Sequence, residues 1–278
     1  MLWEELSAKE MKQLATDSGG ICILPIGCLE KHGEHLPTGT DMYIGRAIAK
    51  RAAKKEKVLV FPYYFMGQAS ECKHYAGCIG ASHELIMTSL LEMCDEISRN
   101  GFKKIVLLNS HGGNNMFLNF FAMKMPSLDR DYVVYVTTAW ASSTERIQQI
   151  YDFAGTDEMG EHAGLSETAQ MLYLRPDLVH MDKQDAESGR RRNQLGRLKG
   201  HGVFTGLTWY GDFPEHYAGD HTKATAELGK LIVDLSCEEL CETIRAIRGD
   251  DVTPRLFKEY NANAHNPLGG GTTLCHPM

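Results

Sequence analysis

The chain has 278 residues, 43% of them hydrophobic, a formal net charge of −7 and a pI near 5.9. That length and apolar content suffice for one large α/β domain with a substantial core. The acidic balance, interrupted only by Arg190, Arg191 and Arg192, excludes a nucleic-acid footprint, and no apolar stretch approaches membrane-spanning length.

In chain order, residues 3–17 alternate charged and apolar groups with a helical period, and Ser18-Gly19-Gly20 ends that helix. Residues 21–26 form an apolar run that reads as a buried strand. The irregular loop that follows, LPIGCLEKHGEHLPTGTD over residues 24–41, carries Glu30, His32, Glu34, His35 and Asp41 among Gly33, Pro37 and Gly39. Open α/β sheets place their ligands at the carboxyl ends of strands. A Glu-x-His pair followed by an aspartate could supply imidazole nitrogen and carboxylate oxygen to a divalent ion. A polar surface loop with solvated histidines is the bland alternative. After Asp41, Ile44, Ala47, Ile48 and Ala52 mark an amphipathic helix. Asp41 near its N-terminus is equally a capping carboxylate.

Residues 58–62 read as a short apolar strand, and the Gly-, Tyr- and Cys-rich stretch up to Ser82 as a long functional loop containing His74 and Tyr75. Ile86, Leu90, Met93, Cys94 and Ile97 mark a helix over residues 82–100, closed by Gly101. Residues 104–108 form a second fully apolar strand, as expected of a central parallel strand covered on both faces. It ends in Asn109-Ser110-His111-Gly112-Gly113-Asn114-Asn115 before a helix over residues 116–125. If the two buried strands are parallel neighbours, His111 faces Glu30 and Asp41. A phosphate loop is the rival, but Gly-Gly without a following Lys or a GxGxxG spacing is a weak signal for one.

Residues 132–138 alternate as another strand that ends near Trp140. Glu161, His162 and Gly164 lead into a helix over residues 165–174, stopped by Arg175-Pro176, on which Glu167 lies. Gly164 could break the chain so that these acids and the imidazole converge. Residues 181–201 read as a charged, exposed excursion, with His216 and His221 on later loops as solvated side chains. A long helix spans residues 222–248. Beyond Pro254 the polar, Gly-rich tail reads as an extension, so the chain divides into a domain at 1–250 and an extension at 251–278.

The eight cysteines sit in a chain too large to need disulfide staples. Cys22 and Cys94 read as small buried hydrophobes, and Cys237 and Cys241 lack the second pair of a structural zinc site. Residues 1–9 hold two glutamates and no apolar leader core, so a reducing cytoplasm is expected. A serine nucleophile would need G-x-S-x-G on a strand-to-helix turn, and Gly80-Ala81-Ser82-His83-Glu84 fails that pattern.

The motif Pro25-Ile26-Gly27-Cys28-Leu29-Glu30-Lys31-His32-Gly33, with His35-Leu36-Pro37 and Gly39-Thr40-Asp41, resembles the opening motif of the creatininase (creatinine amidohydrolase) family. Asn109 to Asn114 and Glu161 to Thr168 match in order and separation, and the likeness spans residues 2–229. The resemblance implies a three-layer α/β fold with a mostly parallel sheet flanked by helices. It also implies a hydrolase with two divalent ions, Zn²⁺ first and Mn²⁺ or Fe²⁺ as alternatives. Asp41 would bridge them, with Glu30 and His111 on one ion and His32 on the other. Glu167 is the acid chosen to complete the second ion, ahead of Glu161. His162 would be the acid–base group with a neutral-range pKa, and Glu161 would orient it or take the proton of water. His74, Tyr75 and Trp140 would line a pocket for a small-molecule substrate in a homo-oligomer, a hexamer in the family.

Gly112 and Gly113 stand where creatininases carry a tyrosine and a metal-binding glutamate, and Glu158 stands where they carry a tryptophan. These departures widen the implied substrates from creatinine to formamides, cyclic ketones such as an inosose, and peptides. A binding protein without turnover, the reading from another class, could dispense with Glu161 and His162, and both are present.

Overall fold

The computed structural model describes residues 1–183 and 189–269. Four strands form one parallel sheet in the order β2-β1-β3-β4: β1 (Ile21–Ile26), β2 (Leu59–Val60), β3 (Lys104–Asn109) and β4 (Val133–Thr138). Parallel neighbours need crossovers, which α2 (Thr40–Glu56), α3 (His83–Arg99) and α4 (Asn114–Lys124) supply. The strand order reverses between β1 and β3, so their carboxyl ends flank the crevice where doubly wound sheets bind ligands. Ile26 pairs with Asn109 in register. The loop after β1 and the turn after β3 therefore start side by side.

Alternate side chains of β1 and β3 enter two different cores. Ile21, Ile23, Val106 and Leu108 pack on one side with α2 and α9 (Ala226–Gly249). Cys22, Leu24, Ile26, Ile105 and Leu107 pack on the other with α1 (Ala8–Asp17), α3 and α4. This is the three-layer α/β arrangement expected, and it explains why neither strand alternates apolar with polar. Each fully buried Leu or Ile contributes roughly 1.5–3 kcal/mol. Next to the first core, α6 (Leu165–Leu174) crosses α9 so closely that a Cβ on Gly229 would strike the Ala169 carbonyl.

Several boundaries differ from expectation. The helix predicted over residues 3–17 begins only at Ala8, where Ser7 and Glu10 form a capping box. Before it, Leu2 bridges to Val60 and Trp3 packs on Phe61 at 5.1 Å, so the first residues cover the sheet edge instead. A helix missed in the sequence, α5 (Thr144–Ala154), packs Ile150 against α9. Two short helices, α7 (Gly196–Gly200) and α8 (Thr208–Asp212), lie in and just after the stretch read as an excursion. The last long helix starts at Ala226, capped by Thr225, rather than at residue 222. In the described part of the extension, α10 (Val252–His265) packs on this chain's own β4, and Asn261 bonds Asp129. Gly270 and Gly271 lie outside the described residues.

Candidate metal centre

Two adjacent segments build the centre, and a third closes it. The loop after β1 delivers Glu30 and His32, and Asp41 occupies the first turn of α2. The turn after β3 delivers His111, whose amide is fixed by Asn109 Oδ1 at 3.1 Å. Opposite them, the chain before α6 brings His162 and Glu167. There the backbone of His162 pairs with Ala218 in an antiparallel bridge, and Ala163 takes a left-handed φ of 53°. The Ala163 amide then donates to Glu167 Oε2 at 2.5 Å. Glu30, His32, Asp41, His111 and His162 are all buried.

Each of three histidines gives one ring N–H to a backbone carbonyl: His32 Nδ1 to Glu30 O at 3.1 Å, His111 Nε2 to Gln68 O at 2.7 Å, and His162 Nε2 to Lys31 O at 2.8 Å. The other nitrogen of each ring turns inward. Around Glu30 Oε1 these inner nitrogens lie at 2.9 Å (His111), 3.7 Å (His162) and 3.9 Å (His32). That oxygen is buried and has no hydrogen bond among the described residues. Asp41 directs Oδ1 to His32 Nε2 at 3.1 Å and Oδ2 towards His111 Nδ1 at 3.4 Å. Metal-binding histidines are oriented in this way by carbonyls on their far nitrogen. The residues present therefore fit divalent ions: one group comprises Cys28, Glu30, Asp41 and His111, and another comprises His32, Asp41 and Glu167.

Electrostatics agree with this grouping. Burial disfavours charge on His32, yet Asp41, Glu167 and Glu30 outweigh it and lift its pKa to about 10. Burial likewise opposes a proton on His111, but Cys28, Glu30 and Asp41 raise its pKa well above the ordinary value. Asp41 falls to about 2 because His32 and His111 overcome its burial. These carboxylates draw positive charge into a dry site, which protons satisfy here and which a divalent ion satisfies with inward lone pairs. Glu167 rises to about 7, driven by burial and the charges of Asp41 and Glu30. For His162, burial with His32 and His216 nearby lowers the pKa to about 3, so the ring is neutral rather than poised in the neutral range.

Other expected site residues lie further out. Glu161 is not drawn into the cluster; it pairs with Arg191 and lines a cavity of about 740 Å³ beside the centre, with Phe213, Tyr217 and His221. His74 Nε2 and Tyr75 Oη both donate to Pro214 O, at 2.9 and 3.2 Å, so they hold a neighbouring loop. Trp140 is 37% exposed just beyond β4. His35 stands apart from the cluster: it stacks on His221 at 3.7 Å and bonds Thr168 Oγ1 at 2.9 Å.

Two expectations of solvated histidines fail. His216 is buried and its Nε2 lies 2.7 Å from Glu30 Oε2, while buried His221 bonds Tyr217 Oη at 2.6 Å. The Gly-rich segment around them folds inward because Ala218 bridges His162 and Gly189, and no hydrophobic period signals that pairing. Cys28 was also missed, although it stands inside the first motif; its thiol donates to Asp41 Oδ2 at 3.4 Å. Burial, with Glu30 alongside, pushes that thiol's pKa well up. At Gly113 a Cβ would collide with His111 Nε2 and lie 2.7 Å from Glu71 Oε1.

Paired carboxylates and inward imidazoles at the switch point of a doubly wound sheet form a candidate site for divalent ions. Residues 4–244 match the family described as creatininase, creatinine amidohydrolase. The chain belongs to the creatininase family of metal-dependent hydrolases. It is 31% identical to the creatinine amidohydrolase of Pseudomonas putida over 194 residues, covering 64% of this chain and 74% of that protein. It is 28% identical to the mycofactocin precursor peptide peptidase of Mycobacterium ulcerans (strain Agy99) over 237 residues, covering 82% and 85%. A crystal structure of creatinine amidohydrolase (creatininase) superposes with a TM-score of 0.72 at 24% identity, over 90% of this chain and 98% of that one.

Proposed function

We propose that this chain hydrolyses a cyclic amide or related C–N bond in a small molecule, using two divalent ions, zinc first, that share Asp41. The observation that carries this reading is the common orientation of His32, His111 and His162, each anchored on a carbonyl with its free nitrogen turned to the same carboxylates. Glu30 and His111 would hold one ion; His32 and Glu167 would hold the other. When bound, such ions lower the pKa of water towards neutrality and polarise a substrate carbonyl.

The chain's own groups do the rest. His162 is neutral, and its Nε2–H is tied to Lys31 O. Its Nδ1 lone pair therefore faces the centre, and a ring so reluctant to stay charged would hold a proton only briefly, passing it to the leaving nitrogen. Glu161, held by Arg191, stays outside this proton path. Burial of the cluster excludes bulk water and strengthens each of these interactions. A homo-oligomer is part of the same proposal, checked by light scattering.

A peptide substrate is the second reading. The peptidase relative aligns over 82% of this chain, against 64% for the amidohydrolase relative, and Gly112 and Gly113 leave the His111 turn without side chains. Zinc-loaded protein assayed against creatinine, other lactams, formamides, an inosose and short peptides separates the substrates. Release of product from none of them, with two equivalents of metal bound, would leave a binding protein.

A further inference from the structure

We infer that His216 is a positioning residue that fixes Glu30 in the metal centre and is itself locked by Trp209. The inference rests on the two-ion reading above and adds a residue that reading does not use. Trp209 Nε1 lies 3.1 Å from His216 Nδ1, and His216 Nε2 lies 2.7 Å from Glu30 Oε2. An indole nitrogen can only donate. His216 Nδ1 must therefore accept, and Nε2 must carry the hydrogen that goes to Glu30.

This reverses the logic of the other three imidazoles. His32, His111 and His162 donate outward to carbonyls and turn their other nitrogen, the one an ion would take, inward. His216 receives from outside and presents a hydrogen to the centre, so the nitrogen nearest Glu30 has no lone pair to offer an ion. Its effect is on Glu30. With Oε2 satisfied, the carboxylate cannot rotate freely, and Oε1 is left facing the inward nitrogens without a hydrogen bond.

The backbone is arranged for this contact. His216 has a left-handed φ of 53°, which a non-glycine residue adopts at a cost and which points to a constraint worth keeping. Both preceding residues are pinned: Pro214 O accepts from His74 and Tyr75, and Glu215 O accepts from Lys31 Nζ at 3.1 Å. His74 and Tyr75 would then act by holding the loop that aims His216. Trp209 lies on α8, packed on Phe213 at 4.9 Å.

The test is zinc affinity of the full chain, measured by competition with a chromophoric chelator, together with zinc stoichiometry. His216→Ala should weaken binding about 10–100-fold while leaving stoichiometry as in wild type, the usual consequence of losing a group that orients a metal ligand. His216→Gln, whose amide donates from a similar reach, should recover most of that loss, and Trp209→Phe should lose less than His216→Ala. A metal-independent readout comes from the three tryptophans. In ¹⁵N-labelled, metal-free protein the Trp209 indole resonance, assigned with Trp209→Phe, should move in His216→Ala. Wild-type affinity in His216→Ala, or an unmoved indole resonance, overturns the inference. So does the loss of one whole zinc equivalent in both the Ala and Gln variants, which would make His216 a ligand. A wild-type chain that binds no zinc sinks the two-ion reading instead, and the indole shift then still decides whether the Trp209–His216 relay exists.

Discussion

The two ends of the sheet are finished in opposite ways. At the amino end the termini of α9 and α2 meet charged partners. Lys104 Nζ donates to the carbonyls of Ile247 and Asp250 at 2.7 Å and of Arg248 at 3.1 Å, which caps α9. Arg245 and Arg248 pair with Glu56 at the end of α2, and the Met1 amine donates to Val58 O. At the carboxyl end, buried Glu30, Asp41, His32, His111 and His162 converge, and Glu30 Oε1 is left without a hydrogen bond among the described residues. Burying charge without full pairing is costly. The contrast teaches that the amino end is built for stability, while the carboxyl end keeps a charge arrangement suited to accepting a cation.

The comparison breaks first at Asp41. Asp41→Ala removes the group placed between His32 and His111, and metal content should fall together with turnover, by at least ~1,000-fold, the several kcal/mol that metal assistance supplies. Elemental analysis and steady-state assay check it, and retention of both ions would refute the shared carboxylate. His162→Ala is the next largest effect. Because His162 is proposed to move protons, metal content should stay near wild type while turnover falls at least ~100-fold. Equal activity would remove His162 from the chemistry.

The fold and half of the site could be read from sequence because their signals are local. The apolar runs of β1 and β3 and the polar turns behind them mark two strand ends, and parallel pairing brings Glu30, Asp41 and His111 together. The Glu-x-His spacing and the position of Asp41 at a helix start lie within one loop. His216 and His221 gave no such signal. Their burial depends on Ala218 pairing with His162 and Gly189, contacts between segments far apart in sequence with neither a period nor a cap. Glu161 misled for the converse reason. It stands beside His162 in the motif, but extended neighbours point to opposite sides, and its carboxylate reaches Arg191 instead. The composition of the tail did not announce α10, in which Asn261 alone is buried.

The amino end predicts smaller effects that leave the chemistry intact. Lys104→Met strips the charged donor from the carbonyls ending α9 and should cost about 1–2 kcal/mol of stability, discounted for partial exposure. Denaturant unfolding measures it; zinc affinity should not change, and a loss of zinc would mean that the two ends are coupled.

The smallest effect is a pH dependence at Asp250. Its Oδ2 accepts from Tyr135 Oη at 2.9 Å and its Oδ1 from the amides of Val252 and Thr253 at 3.0 Å, which joins β4 to the start of α10. Burial pushes its pKa up, but the hydrogen bonds from Thr253, Tyr135 and the Val252 amide win and hold it at about 2, below the ordinary 3.8. The carboxylate therefore binds its proton less readily in the folded chain than in the unfolded one, so its stabilising contribution is complete above pH 3.8 and lost as pH falls towards 2. Asp250→Asn should lower the melting temperature slightly near neutrality and flatten its decline between pH 4 and 2. An unchanged acid limb in that variant would assign the loss of stability to other carboxylates, and since the change lies far from the buried cluster, zinc binding at pH 7 should be the same in both proteins.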